Sequence, residues 1–197
     1  VQDSPVKTVL YGPEGIGKST FASHFPNPVF IDTEGGTKRL NVARLPQPTS
    51  WAMLLDEVAE VRKALEDGCN EIDMVVNISD VKNGLLDKVE EEIRTLKKEC
   101  GHHILKVIIE TCYLTEEEKI AMCKAVTDAG ADFIKTSTGF GTGGATKEDV
   151  ELFKKYIGPK VKIKAAGGVS SMEDLEMFLE LGCDRIGTSR AVGLCKG

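Results

Sequence analysis

A chain of 197 residues, 41% hydrophobic and 28% charged, has the composition of an ordinary soluble globular protein and can bury one large core or two small ones. Its 31 acidic and 25 basic residues give a net charge of -6, which argues against non-specific binding to a nucleic-acid backbone but leaves room for a small phosphorylated ligand held by local lysines. No apolar run approaches the roughly 20 residues of a membrane span and no signal peptide opens the chain, so the expectation is a cytoplasmic protein without a membrane partner.

The first predicted strand, about 7–11, runs into "LYGPEGIGKSTF" at residues 10–21. Strand, glycine loop and helix follow in the order of a phosphate cradle. Glycines let backbone N–H groups turn toward the phosphates, the helix N-terminus faces the anion, Lys18 reaches the terminal phosphates and Ser19 holds Mg²⁺. Gly12, Gly15, Gly17, Lys18, Ser19 and Thr20 are therefore the candidate cofactor-binding residues, with phosphate or ATP/Mg as ligand. A second strand at 28–32 leads into "TEGGTKRLNVARLPQPTS", whose two glycines and two prolines predict a long loop over 33–50. Thr49 and Ser50 then cap a helix at about 50–66, with Trp51, Leu54, Leu55, Val58, Val61 and Leu65 on one face.

Further strands are predicted near 71–78, 104–110, 132–136, 161–165 and 184–188. They alternate with helical segments, the pattern of a parallel α/β sheet or barrel. "TEEE" at Thr115 and "SMED" at Ser171 have the capping-box form at helix starts. A weak repeat, "DGCNEIDMV", "AGADFIKTS" and "LGCDRIGTS", ends a helix at Gly68, Gly130 and Gly182, passes a small and a polar residue, and enters a strand. Glycine suits that place because the residue after a helix often takes positive φ. The six cysteines fall singly, without metal-ligand spacing, and read as free thiols; His24, His102 and His103 read as solvated, and no metal site is expected.

Several strands carry charges where apolar residues belong. Period-two alternation puts Glu71, Asp73 and Val75 on one face of their strand, Phe133 and Lys135 on one face of another, and Lys162 and Lys164 on one face of a third. Lys106 is a further charge inside the apolar "ILKVIIET". Such groups are costly unless they meet, so convergence in a barrel interior is the economical reading, with an exposed edge strand as the alternative for each. A lysine beside a second cation in a partly desolvated site becomes nucleophilic near neutral pH. The glycine-rich "STGFGTGGAT", "AAGGV" and "GTSR" follow three consecutive strands, where barrels build phosphate sites.

Two resemblances organise these motifs. Residues about 5–62 resemble the phage-type, RecA-like P-loop ATPases, in which a strand ending "FIDTEGG" follows the first helix. That resemblance implies that Glu34 polarises the attacking water, or that Asp32 coordinates the metal through water. The next strand, "EIDMVVNI", does not look like the metal-binding strand such an ATPase needs, so an ATPase is not expected.

Residues about 64–194 resemble the C-terminal two thirds of deoxyribose-phosphate aldolase, a class I aldolase on a TIM barrel, through "EIDMVVNI", "LKVIIET", "GADFIKTSTGFGTGGAT", "VKIKAAGGV" and "DRIGTS" in family order. The resemblance implies Lys135 as the Schiff-base nucleophile and Asp73 with Lys164 as the proton relay. It places the substrate phosphate on Gly139, Gly167, Gly168 and Ser189, and it requires no cofactor.

The two parts meet within the helix "LLDEVAEVRKALEDG" and each resembles only part of its family. The fold expected is α/β, with parallel βα units and about seven strands. It amounts to a remodelled or incomplete TIM-like barrel joined to a P-loop βαβ fragment, divided as residues 1–62 and 63–197 but packed as one α/β domain. An incomplete barrel, an opened sheet and an exchanged homodimer that fills the gap all remain open. The function expected from this division is that of an engineered or recombined chimera, with residual phosphate or nucleotide binding and little or no catalysis. The alternative is an active Schiff-base aldolase that cleaves 2-deoxyribose 5-phosphate to acetaldehyde and glyceraldehyde 3-phosphate.

Overall fold

The computed structural model describes residues 29–31, 43–45, 51–188 and 190. Predictions that fall elsewhere, the strand at 7–11 and the glycine loop among them, lie outside the described residues. The described residues divide into two compact units between Asp67 and Gly68.

In the first unit, β1 (Val29–Ile31) pairs in parallel with β2 (Ala43–Leu45), Val29 opposite Ala43 and Ile31 opposite Leu45. The strand β2 corrects the expected loop over 33–50. "ARL" is three residues long with a proline just beyond it, too short to show a period, and only its partner strand makes it one. Helix α1 (Trp51–Glu66) occupies the span expected from its amphipathic period.

The second unit contains β3 (Glu71–Val75), α2 (Ile78–Lys82), α3 (Leu86–Cys100), β4 (Ile104–Ile108), a 3-10 turn (Thr111–Tyr113), α4 (Glu116–Asp128), β5 (Phe133–Lys135), α5 (Lys147–Tyr156), β6 (Lys162–Ala166), α6 (Met172–Glu180) and β7 (Arg185–Gly187). Its five strands form one parallel sheet in sequence order, β3-β4-β5-β6-β7. The expected parallel α/β fold is thus present. Strands joined by helices and laid down side by side are what successive right-handed βα units produce.

The two faces of this sheet differ in chemistry. Register runs Asp73–Lys106–Phe133–Lys162 along one line and Val75–Ile108–Lys135–Lys164–Arg185 along the next, all on one face. The other face presents Leu105, Val107, Ile134, Ile163 and Ala165, all but sealed from solvent. Helices α3 to α6 pack against it. Their buried stripes, Val89, Ile93 and Leu96 on α3, Met122 and Val126 on α4, Val150 and Phe153 on α5, and Phe178 on α6, supply the core. Each large aliphatic or aromatic side chain so buried contributes about 1.5–3 kcal/mol.

The repeat has a clear structural role. Gly68, Gly130 and Gly182 all take positive φ, at 91°, 77° and 91°, where a side chain would be strained. The polar residue that follows stitches the strand edge: the Asp132 carboxylate accepts the Leu105 N–H at 2.8 Å, and the Asp184 carboxylate accepts the Ile163 N–H at 2.9 Å. Both capping boxes form, at Thr115 with Glu118 and at Ser171 with Asp174.

Cys69, Cys100, Cys112, Cys123 and Cys183 are free thiols. Burial pushes the Cys123 thiol up to about 12 and the Cys183 thiol up to about 11. Only the thiolate reacts. Iodoacetamide at pH 8 is therefore expected to label the partly exposed Cys69 and Cys112 in the folded chain, and Cys123 and Cys183 only after denaturation. Peptide mass spectrometry reads this directly; native labelling of Cys123 at the rate of Cys112 contradicts it. No described helix is long and apolar enough to cross a membrane.

Candidate active site

All five strands bring charged side chains to the polar face of the sheet. Lys135, at the end of β5, donates to Asp73 Oδ2 on β3 at 2.8 Å although the two are 62 residues apart. Lys106 on β4 donates to Asp73 Oδ1, and its Nζ lies 3.1 Å from Glu71 Oε2. Arg185 on β7 grips Glu71 with both guanidinium nitrogens, at 2.5 and 2.8 Å. Its Cζ also lies 4.8 Å from the Phe133 ring centroid. Lys164 stands opposite Lys135 in the β5–β6 register.

The two lysines are the buried members of this cluster, while Asp73, Glu71 and Arg185 keep part of their side chains in water. Lys106 is 5% and Lys135 9% exposed, so both ammonium groups are removed from water and held by carboxylates. Burial alone would raise the Asp73 carboxyl, but hydrogen bonds from Lys106 and Lys135 hold it below the usual carboxylate range. The Arg185 guanidinium holds Glu71 down to about 2. Lys164 moves the other way: burial first, and then the positive charge of Lys135, lower its pKa. A half-buried lysine next to a second lysine gives up its proton more readily than a free one, which suits it to proton transfer.

Of the residues expected from the sequence, Asp73, Lys135 and Lys164 converge here. Lys162 does not join them; it is exposed, with its Nζ 5.8 Å from the Phe133 ring centroid. Lys106, left open between interior and edge, is interior and bonded to Asp73. Arg185 and Glu110 were not singled out. Arg185 opens its strand in "DRIGTS", and period two with Gly187 is the signal that points it inward. Glu110, just past β4, carries no such signal: it is buried, left-handed at φ 50°, and its carboxylate accepts the Thr138 N–H at 3.2 Å. It thereby ties the turn after β4 to the loop after β5.

The glycine loops meet at the C-terminal ends of β5 and β6. Gly139, Gly167 and Gly168 all take positive φ, between 75° and 89°. The Ala145 N–H donates to the carbonyls of Ala166 and Gly167 at 3.2 and 3.1 Å. A Cβ on Gly167 would lie 3.1 Å from Gly144 Cα and 3.5 Å from Gly139 Cα, so the two backbones touch. Thr188 joins them from β7, donating to the Val169 carbonyl at 2.7 Å. Ser189 lies outside the described residues, as do Gly12, Gly15, Gly17, Lys18, Ser19, Thr20, Asp32 and Glu34. Among the described residues no group of three or more His, Cys, Asp or Glu side chains is placed to hold a metal.

The family model for the AAA domain matches residues 4–186. A deoxyribose-phosphate aldolase from Clostridium botulinum (strain Eklund 17B / Type B) is 73% identical over 150 residues, which cover 76% of this chain and 68% of that protein. The solved structure of QR15, an aldolase, superposes with a TM-score of 0.69 at 40% identity, covering 76% of this chain and 67% of that one. A deoxyribose phosphate aldolase from Aeropyrum pernix, described as a unique tetramer, superposes with a TM-score of 0.66 at 28% identity, covering 84% of this chain and 72% of that one.

These matches correct the expected function. A chimera with residual binding and little or no catalysis does not agree with 73% identity over three quarters of the chain, which favours the alternative reading of an active aldolase. Asp73 and Lys135 also sit within hydrogen-bond distance, although 62 residues separate them. By the span of its family model and by these relatives, the chain belongs to the AAA-domain family and to the deoxyribose-phosphate aldolase family, and the aldolase match is the one that carries the charged site.

Proposed function

We propose that the chain is a Schiff-base lyase that cleaves 2-deoxyribose 5-phosphate. The observation that carries this reading is the 2.8 Å contact between the buried Lys135 and Asp73, with Lys164 beside Lys135 in register. Lys135 attacks the open-chain aldehyde at C1, and loss of water gives a protonated imine. The cationic nitrogen is the electron sink. A base removes the proton of the C3 hydroxyl, the C2–C3 bond breaks, and its electron pair passes into the enamine while C3 becomes the new aldehyde. Protonation at C2 and addition of water release acetaldehyde and free Lys135; carbons 3 to 5 leave as glyceraldehyde 3-phosphate. Because Lys135 supplies the sink, the reaction requires no cofactor.

Asp73 and Lys164 serve as the proton relay in this reading. Asp73 is held ionised by hydrogen bonds from Lys106 and Lys135, and burial together with the charge of Lys135 shifts Lys164 toward its neutral form. The loops around Gly139, Gly167 and Gly168, with Ser189, hold the phosphate through backbone N–H groups. Trapping with borohydride in the presence of 2-deoxyribose 5-phosphate tests the reading: reduction fixes the imine as a stable amine, and mass spectrometry should locate it on Lys135. A chain without adduct is not this enzyme.

A second reading concerns residues 1–62, taken as a P-loop-like part beside the aldolase-like 63–197. Its support is the AAA-domain family match together with the GxxxxGK[ST] spacing at Gly12–Ser19. We infer that this loop binds phosphate or a nucleotide, with Lys18 as the main charge. Titration with ATP and Mg²⁺ should show binding that Lys18→Ala weakens by about 10-fold or more, the scale of one charge-assisted hydrogen bond. Equal binding by both proteins would sink it.

A further inference from the structure

The pair Arg185–Glu71 joins the last strand of the sheet to the first. In a flat parallel sheet β3 and β7, separated by four strand spacings, would stand about 19 Å apart. Side chains from the two meet at 2.5 and 2.8 Å, so the polar face is strongly concave and this pair spans it. The pair also continues into the site, because Glu71 shares Lys106 with Asp73, and Asp73 holds Lys135. The result is a row of alternating charge: Arg185, Glu71, Lys106, Asp73, Lys135.

We propose that Arg185, Glu71 and Lys106 are positioning residues of the Schiff-base site: the Arg185–Glu71 clasp holds the concave face in shape, and Glu71 fixes how Lys106 divides itself between two carboxylates. This rests on the aldolase reading above. Glu71 lies too far along the row to touch Lys135; it acts through Lys106 and Asp73. Without Glu71, Lys106 turns wholly to Asp73, and Arg185 is left as an uncompensated cation facing Lys164.

The direction of the effect follows from the charges on this face. They are Glu71 and Asp73 from β3, Lys106 from β4, Lys135 from β5, Lys162 and Lys164 from β6, and Arg185 from β7, with Glu110 just past β4. Cations exceed carboxylates among them. Neutralising Glu71 adds to the positive excess and makes the interior amines easier to deprotonate. Neutralising Arg185 does the opposite.

The test is the pH dependence of borohydride-trapped adduct on Lys135, measured on the whole chain with 2-deoxyribose 5-phosphate. Glu71→Gln should move the midpoint of trapping to lower pH and Arg185→Gln to higher pH, each by an amount on the order of one unit or less. Arg185→Lys keeps the charge but loses the two-pronged grip. It should lower the yield of adduct and leave the midpoint in place, and it stands in for either glutamine variant that fails to fold by circular dichroism. Glutamine variants that move the midpoint in the same direction, or not at all while adduct yield falls, overturn the inference and leave a purely structural clasp. A midpoint shift in Arg185→Lys as large as in Arg185→Gln also overturns it. A wild-type chain that traps nothing at any pH overturns the aldolase reading itself, a different and recognisable result.

Discussion

Replacing Lys135 by alanine is expected to abolish every trace of borohydride-trapped adduct and to lower turnover of 2-deoxyribose 5-phosphate by roughly 10⁴-fold or more, the scale of removing a covalent nucleophile. The variant discriminates because a second lysine is at hand. Lys164 stands opposite Lys135 in the register and its pKa is lowered by burial and by the charge of Lys135. If Lys164 were the nucleophile, adduct would persist in Lys135→Ala and vanish in Lys164→Ala. Of these two, Lys135 is favoured because Asp73 grips it at 2.8 Å and it is the more deeply buried. Lys135→Arg completes the set: it keeps the cation beside Asp73 but cannot form an imine, so it too should trap nothing. Folding should survive these changes, since Asp73 still holds Lys106. Intact-protein mass and a coupled turnover assay measure both outcomes.

Gly144→Ala is expected to raise the KM for the phosphorylated substrate by about 5–150-fold, which corresponds to the roughly 1–3 kcal/mol of overpacking a tight site. A methyl group there would lie 2.4 Å from both the carbonyl carbon and oxygen of Gly167 and 2.8 Å from the Gly168 amide nitrogen. These are backbone atoms that no rotamer change can clear, so the loop after β5 must separate from the loop after β6. That separation moves Gly139 away from Gly167 and Gly168, which together would face the phosphate. Lys135 lies on the strand below and should be spared, so borohydride trapping with unphosphorylated acetaldehyde should stay near wild type. If acetaldehyde trapping falls as far as substrate affinity, the loop contact supports the lysine and not the phosphate. Gly141→Ala is the useful contrast, because its nearest neighbours are side-chain atoms of Cys112 and Glu110.

Legibility in the sequence followed the range of the interaction. Local features were readable: the positive-φ glycines at 68, 130 and 182, the capping boxes at Thr115 and Ser171, and the faces of β3, β5 and β6 all depend on residues a few places apart. Strand β2 was not, because three residues carry no period and its evidence is its partner. Within the site, Asp73, Lys135 and Lys164 were carried by motif resemblance, while Lys106 was visible only as a charge in the wrong place. The Arg185–Glu71 clasp links positions 114 residues apart, and no local pattern encodes such a pair. Glu110 was the hardest case, since an ordinary glutamate gives no sign that its backbone is left-handed.

The split between the two faces of the five-stranded sheet has a consequence for how such a chain can change. On every strand of that sheet, residues of one parity pack against helices and those of the other parity line the charged interior. Inheritance of the scaffold and variation of the chemistry are thus assigned to alternate codons. A library confined to positions 73, 106, 135 and 164 samples new reactions without touching the helix-facing layer, the Arg185–Glu71 clasp or the buried Ile108 and Phe133, and selection on catalysis can proceed there while selection on folding holds the neighbouring sites fixed.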